Sequence, residues 1–199
     1  MSVLEVQQLL ARLYTDPGLL QEYLDDPAGF SVRYPIGNGD FIGHIDPGQL
    51  RLFAASLRSK RAAEVQKLLP LTVSALCNRF EDEFAKHAGV VVPSGERKHL
   101  ADAMAFCEHL IARNLDQQTL EAAAFELLDF KTRFDLKREG EAPVVARVQP
   151  SQRPWLRVKR FGHVLPALTG VVDKTERTNP QRRFVLFARL PGLRGIWYW

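Results

Sequence analysis

Ile45-Asp-Pro-Gly-Gln-Leu-Arg-Leu-Phe-Ala-Ala-Ser-Leu-Arg-Ser-Lys-Arg-Ala-Ala-Glu-Val-Gln-Lys-Leu-Leu-Pro70 is the stretch that decides the fold. Asp46 supplies an N-cap acid, and Pro47 fills the first helical position, where a missing N–H costs nothing. Leu50, Phe53, Ala54, Leu57, Val65, Leu68 and Leu69 then recur at helical spacing, and Pro70 breaks or kinks the run. The same device opens a shorter helix at Asp16-Pro17, with Leu19, Leu20, Tyr23 and Leu24 as its apolar stripe. Before it, Ser2 and Glu5 have capping-box spacing, and Val6, Leu9, Leu10 and Leu13 carry a first helix to about Tyr14. Residues 28–45, rich in Gly and Pro, read as a connecting loop. A fourth helix holds Leu71, Leu76, Phe80 and Phe84 and runs to about His87. A fifth runs from Ser94 through Leu100, Met104, Cys107 and Leu110, and a sixth starts at Asp116 with Leu120, Ala124, Leu127 and Leu128. These helices form a bundle.

The texture changes after Phe134. Residues 137–143 are charged and contain Gly and Pro, and strand-like runs follow: Val144–Val148, Trp155–Phe161, His163–Leu165, Phe184–Leu190 and Ile196–Trp199. The expected class is α+β, with an N-terminal helical bundle domain over 1–136 and a small basic β-rich C-terminal domain over 137–199. The charge supports the division. Of a net +4, residues 137–199 carry 13 Lys and Arg against 4 acidic residues, about +9, and the rest of the chain is about −5.

Several function classes lack their signatures. The chain has no apolar run of about 18 residues and no basic segment leading into an apolar one near Met1, so a soluble, cytoplasmic protein is expected. Cys77 and Cys107 lack the spacing of a zinc site and read as buried free thiols. The histidines include no H-E-x-x-H pair, and no phosphate-binding glycine pattern occurs. No catalytic and no metal-ligating residue is assigned. The basic cluster Arg58, Lys60, Arg61 and Lys67 reads as a solvated helix face.

Arg153, Arg157, Lys159 and Arg160 interleave with Trp155, Leu156, Val158 and Phe161, a pattern suited to holding a peptide or nucleic acid. A peptide added as an extra strand along Trp155–Phe161 or Phe184–Phe187 takes its affinity from main-chain hydrogen bonds. The candidate peptide-binding residues are Arg157, Lys159, Arg182, Arg183, Phe184, Val185 and Phe187, with Arg182 and Arg183 steering acidic side chains. The aromatic end, with Trp197 and Trp199, either completes this chain's own core or docks into a partner.

The Ile45–Pro70 stretch, with Leu10-Ala-Arg-Leu-Tyr-Thr-Asp-Pro17 and Leu24-Asp-Asp-Pro27, carries a resemblance to a known family. The chain resembles the TglI-like helical partner proteins encoded beside TIM-barrel multinuclear non-haem iron oxidases, and more distantly MbnC of methanobactin biosynthesis. The resemblance spans roughly residues 4–135, and the remainder only in layout. It implies an accessory subunit of a heterodimer in ribosomal-peptide (RiPP) natural product biosynthesis. The chain would bind a precursor or carrier peptide with a C-terminal cysteine, and iron would sit in a TglH-like oxidase that excises the β-carbon of that cysteine, as in 3-thiaglutamate formation. No cofactor is expected in this chain, and the family motif transfers no catalytic residue. The alternative from charge alone is a DNA-binding protein that uses its basic C-terminal region.

Overall fold

The computed structural model describes residues 3–34, 45–140, 144–162, 183–190 and 193–198. Three helices open the chain: α1 (Val3–Thr15), α2 (Pro17–Asp25) and α3 (Pro27–Arg33). The Asp16 carboxylate accepts from the Gly18 and Leu19 amides at 2.9 and 3.1 Å. Asp26 does the same for Gly29 at 2.8 Å. The start of the expected loop, residues 28–33, therefore lies in a helix that begins at Pro27. Asp26-Pro27 is a third cap-then-proline start, and a helix of 7 residues is too short to show an apolar period. These helices close a satellite core of Leu9, Leu13, Leu19, Tyr23 and Phe30 against Leu50, and the Tyr23 hydroxyl donates to the Ile45 carbonyl at 2.8 Å.

α4 (Pro47–Leu68) begins on Asp46, whose carboxylate accepts from Gly48 at 2.7 Å, and stops before Pro70. The expected fourth helix is two helices, α5 (Pro70–Leu76) and α6 (Phe80–Ala88), parted by a 3-10 turn over Cys77–Arg79. Cys77 sits at φ 51°, a conformation that breaks the helical ladder and turns its side chain outward. The expected buried thiol at Cys77 is thus exposed, whereas Cys107 is buried and its thiol is pushed well up by burial. α7 (Lys98–Arg113) and α8 (Gln117–Lys131) complete the helices.

Two small sheets pack on this frame. β1 (Val91–Ser94), β2 (Phe134–Glu139) and β3 (Val144–Pro150) form one sheet in the order β1-β3-β2, with β1 parallel and β2 antiparallel to β3. The division expected at residue 137 falls inside β2. Ala146 and Val148 of β3 join the main core with Val65, Leu69, Phe80, Phe84, Met104 and Phe106. The second sheet is β4 (Trp155–Phe161), β5 (Arg183–Leu190) and β6 (Leu193–Tyr198), antiparallel in the order β4-β5-β6. Its inner face closes a second core with α8, where the Phe125 ring lies 5.5 Å from Phe161 and 5.4 Å from Phe187.

α8 therefore serves both cores: Ala123 and Leu127 face the main one, Ala122 and Phe125 the other. That double duty explains why Thr119–Leu127 is buried almost all round, as a helix between two layers must be. Two polar ties reinforce the junction. Glu121 accepts from the Gly162 amide at 2.8 Å, and buried Arg189 donates to the Arg153 carbonyl at 2.7 Å and to Asp135 at 3.0 Å.

Candidate binding surfaces

The β4-β5-β6 sheet holds most of the residues expected to bind a peptide, and its order corrects one of the two expected edges. β5 lies in the middle, bonded to β4 on one side and β6 on the other, so Phe184–Phe187 offers no free main-chain edge. Both β4 and β5 alternate well enough in sequence to be either central or flanking, and pairing order is a tertiary property. Among the described residues, β4 is an outer strand.

Parity then decides which side chains are available. Val185 and Phe187 are fully buried and fill the core on α8 rather than face a ligand. Arg157 and Lys159 share that inward parity. Arg157 reaches solvent at the sheet's margin, and Lys159 lays its stem over Phe161 with Nζ 5.5 Å from the ring centre. Burial, with Arg157 beside it, lowers the Lys159 ammonium from its ordinary value. Arg183 pairs in register with Phe161, while Arg182 and Trp199 lie outside the described residues.

The opposite face is apolar and open. Leu156, Val158, Phe184 and Trp197 are 55, 50, 43 and 37 % exposed, and Val158, Leu186 and Trp197 stand side by side across the three strands. Gly195 lies under the indole: a Cβ there would meet the Trp197 ring at 3.4 Å. The ring therefore lies along the strand instead of standing off it. Arg160 borders the patch, its guanidinium 6.0 Å from the Phe184 ring centre.

A second surface, a groove of about 530 Å³, runs between α4, β1 and the start of α7. Leu57, Ala63, Val92 and Pro93 form apolar walls, and Lys60, Lys98 and His99 line it beside Arg61 and Glu64. The groove stands on a buried polar network that was not among the expectations from sequence. Arg61 turns inward from α4 and grips Asp102 of α7 with two hydrogen bonds of 2.9 Å, and it also donates to the Val91 carbonyl at 2.9 Å. His87 of α6 meets the same carboxylate at 2.8 Å. Burial alone raises the Asp102 carboxyl, but the bonds from His87 and Arg61 and the guanidinium charge overrule it and hold the group below its ordinary value. Burial lowers His87 despite its bond to Asp102, so the imidazole is neutral and its Nε2–H donates to the carboxylate.

Behind His87, its Nδ1 has no hydrogen-bond partner and the His109 ring lies 5.7 Å away. Glu83 pairs with Lys86 at 2.6 Å and with Arg113 at 3.5 Å. The network fixes α4, α6, α7 and β1 relative to one another, and so sets the shape of the groove. Among the described residues no group of three or more His, Cys, Asp or Glu is placed to hold a metal ion, and no helix is long and apolar enough to cross a membrane.

Residues 43–112 match a family model described as SCO6045-like, C-terminal domain. That span takes in α4 to α6 and all of α7 but Arg113, and with them Arg61, His87, Asp102 and every groove residue but Thr15. No curated protein and no solved structure matches the chain.

Proposed function

We propose that this chain is an accessory subunit that docks a TIM-barrel iron oxidase of the TglH-like kind and brings it a ribosomally made precursor peptide. The observation that carries this reading is the open apolar face of Leu156, Val158, Phe184 and Trp197. A contiguous apolar patch that includes Trp, with Arg at its rim, is costly to leave in water and has the composition of an interface centre. The resemblance of residues 4–135 to TglI-like partner proteins supplies the class of partner. In this reading iron and dioxygen chemistry belong to the oxidase, which excises the β-carbon of the peptide's C-terminal cysteine, and this chain contributes binding and orientation.

The test is co-expression with the oxidase, then size exclusion and metal analysis of the complex and of the chain alone. The expected result is a stable complex whose iron stays with the oxidase, and which Val158→Asp or Trp197→Ala breaks while the variant chain melts normally. A chain that ignores the oxidase and binds duplex DNA with steep salt dependence overturns the reading in favour of a nucleic-acid role.

A further inference from the structure

The α4–β1–α7 groove has a charge and a shape that no part of the docking reading uses. Lys60 and Lys98 are exposed at its lip, and among the described residues neither has an ion-pair or hydrogen-bond partner. Glu64, the acid in the lining, is tied to Lys67 at 2.6 Å, and Arg61 is neutralised by Asp102. Two free ammonium groups thus stand over apolar walls of Leu57, Ala63, Val92 and Pro93. The volume, about 530 Å³, is that of a pocket able to seat a few side chains.

The backbone beside the groove excludes one mode of binding. Val144 donates to the Val90 carbonyl at 2.8 Å, so in the parallel β1–β3 ladder the even positions of β1 face β3, and Val91 and Pro93 face away from it. Proline has no N–H to offer, and the Val91 carbonyl is occupied by Arg61 at 2.9 Å. The outward edge of β1 is closed to an added strand. Whatever enters the groove is held by its side chains.

We infer that this groove binds an acidic peptide segment, seating an apolar side chain against Leu57, Ala63, Val92 and Pro93 while adjacent carboxylates meet Lys60 and Lys98. The inference relies on the partner-subunit reading only for which peptide it is, the precursor. It moves the acidic part of that peptide from the C-terminal sheet to the helical region, and leaves the outer face of β4-β5-β6 to the protein partner.

The experiment uses the full chain and fluorescence polarisation of a labelled peptide of alternating leucine and glutamate. A leucine–lysine peptide and a labelled DNA duplex serve as comparison probes. The expected result is binding of the leucine–glutamate peptide alone, weakened at least about tenfold by Lys60→Glu with Lys98→Glu and unchanged by Arg160→Glu on the far sheet. Both lysines are exposed, so the double variant keeps its fold, checked by its melting profile. Failure of the wild-type chain to bind, indifference to the double variant, equal binding of the lysine peptide, or displacement of the peptide by the duplex each overturns the proposal. Oxidase co-purification is scored on the same variants. Loss of the complex from the wild-type chain with peptide binding intact defeats the docking reading and leaves the groove standing.

Discussion

Asp102 is the residue on which the groove's frame turns, because a carboxylate with no exposed surface is held only by what bonds to it. Asp102→Ala strands the Arg61 guanidinium and leaves His87 without an acceptor, and a loss of about 3–5 kcal/mol in urea unfolding is expected. A loss no larger than that of an exposed aspartate would mean that water replaces the carboxylate. Glu126 of α8 makes a second prediction, with a pH signature. Its carboxylate accepts from the Leu71 and Thr72 amides at 2.8 and 3.1 Å and so caps α5. Burial nevertheless pushes the group from its ordinary 4.5 up to about 7. A folded value above the unfolded one means the native state holds the extra proton. The stabilisation is therefore complete below pH 4.5 and is lost as pH rises through about 7, a span worth up to about 3 kcal/mol. Glu126→Gln should flatten that slope in urea midpoints measured across the range. Sequence reading missed both acids and treated Arg61 as a solvated cation. For Asp102 a signal was present: it is the only charged residue in the run from Leu100 to Cys107. An acid on an otherwise apolar helix needs an internal partner. For Arg61 none was, since a cation turned inward and one turned to water have the same neighbours in the chain.

Cys77 shows at the scale of an element why one expected helix became two. Its φ of 51° and ψ of −123° suit glycine and strain a residue with a Cβ, so Cys77→Gly should raise the melting stability by about 1 kcal/mol. A neutral or destabilising result would show that the exposed thiol's bond to the Ser74 carbonyl, 3.0 Å long, matters more than the strain. The elements most legible in the sequence were those with a local start signal. Asp16-Pro17 and Asp46-Pro47 opened helices where expected, and β4 fell on the expected Trp155–Phe161. The elements that were missed have their cause outside the segment. β1 is only 4 residues long, Val-Val-Pro-Ser, and becomes a strand only by pairing with β3, more than 50 positions away. β2, with its Lys-Arg-Glu, reads as a linker because its outer half is exposed, yet all six of its residues are in register with β3. The peptide-binding expectation on β5 met the same limit: alternation marked a strand, but its place between two neighbours depends on β4 and β6.

At the scale of the whole molecule, α8 is the beam between the helical region and the C-terminal sheet, and Phe125 is where the second core rests on it. The Phe125 ring touches Phe161 of β4 and Phe187 of β5, while Ala123 and Leu127 on the same helix remain in the main core. Truncation by Phe125→Ala removes the shared ring from the second core without touching the first, and should cost about 3–5 kcal/mol. The distribution of that loss is more telling than its size. Hydrogen exchange should show β5 amides losing protection while β3, packed on the main core through Ala146 and Val148, keeps most of its own. Equal loss in both sheets would mean that Glu121 and Arg189 tie the two cores into one cooperative unit. A loosened sheet also changes what the molecule can dock. The strands that carry the outer face of Leu156, Val158, Phe184 and Trp197 rest on Phe125 from behind, so the proposed complex with an oxidase should weaken although no residue on that face has changed. The groove between α4, β1 and α7 lies on the main core and should keep its affinity for the acidic probe in the same variant. If Phe125→Ala weakens both activities equally, the two surfaces are not independent, and a single site spread across the junction replaces the two assigned to them.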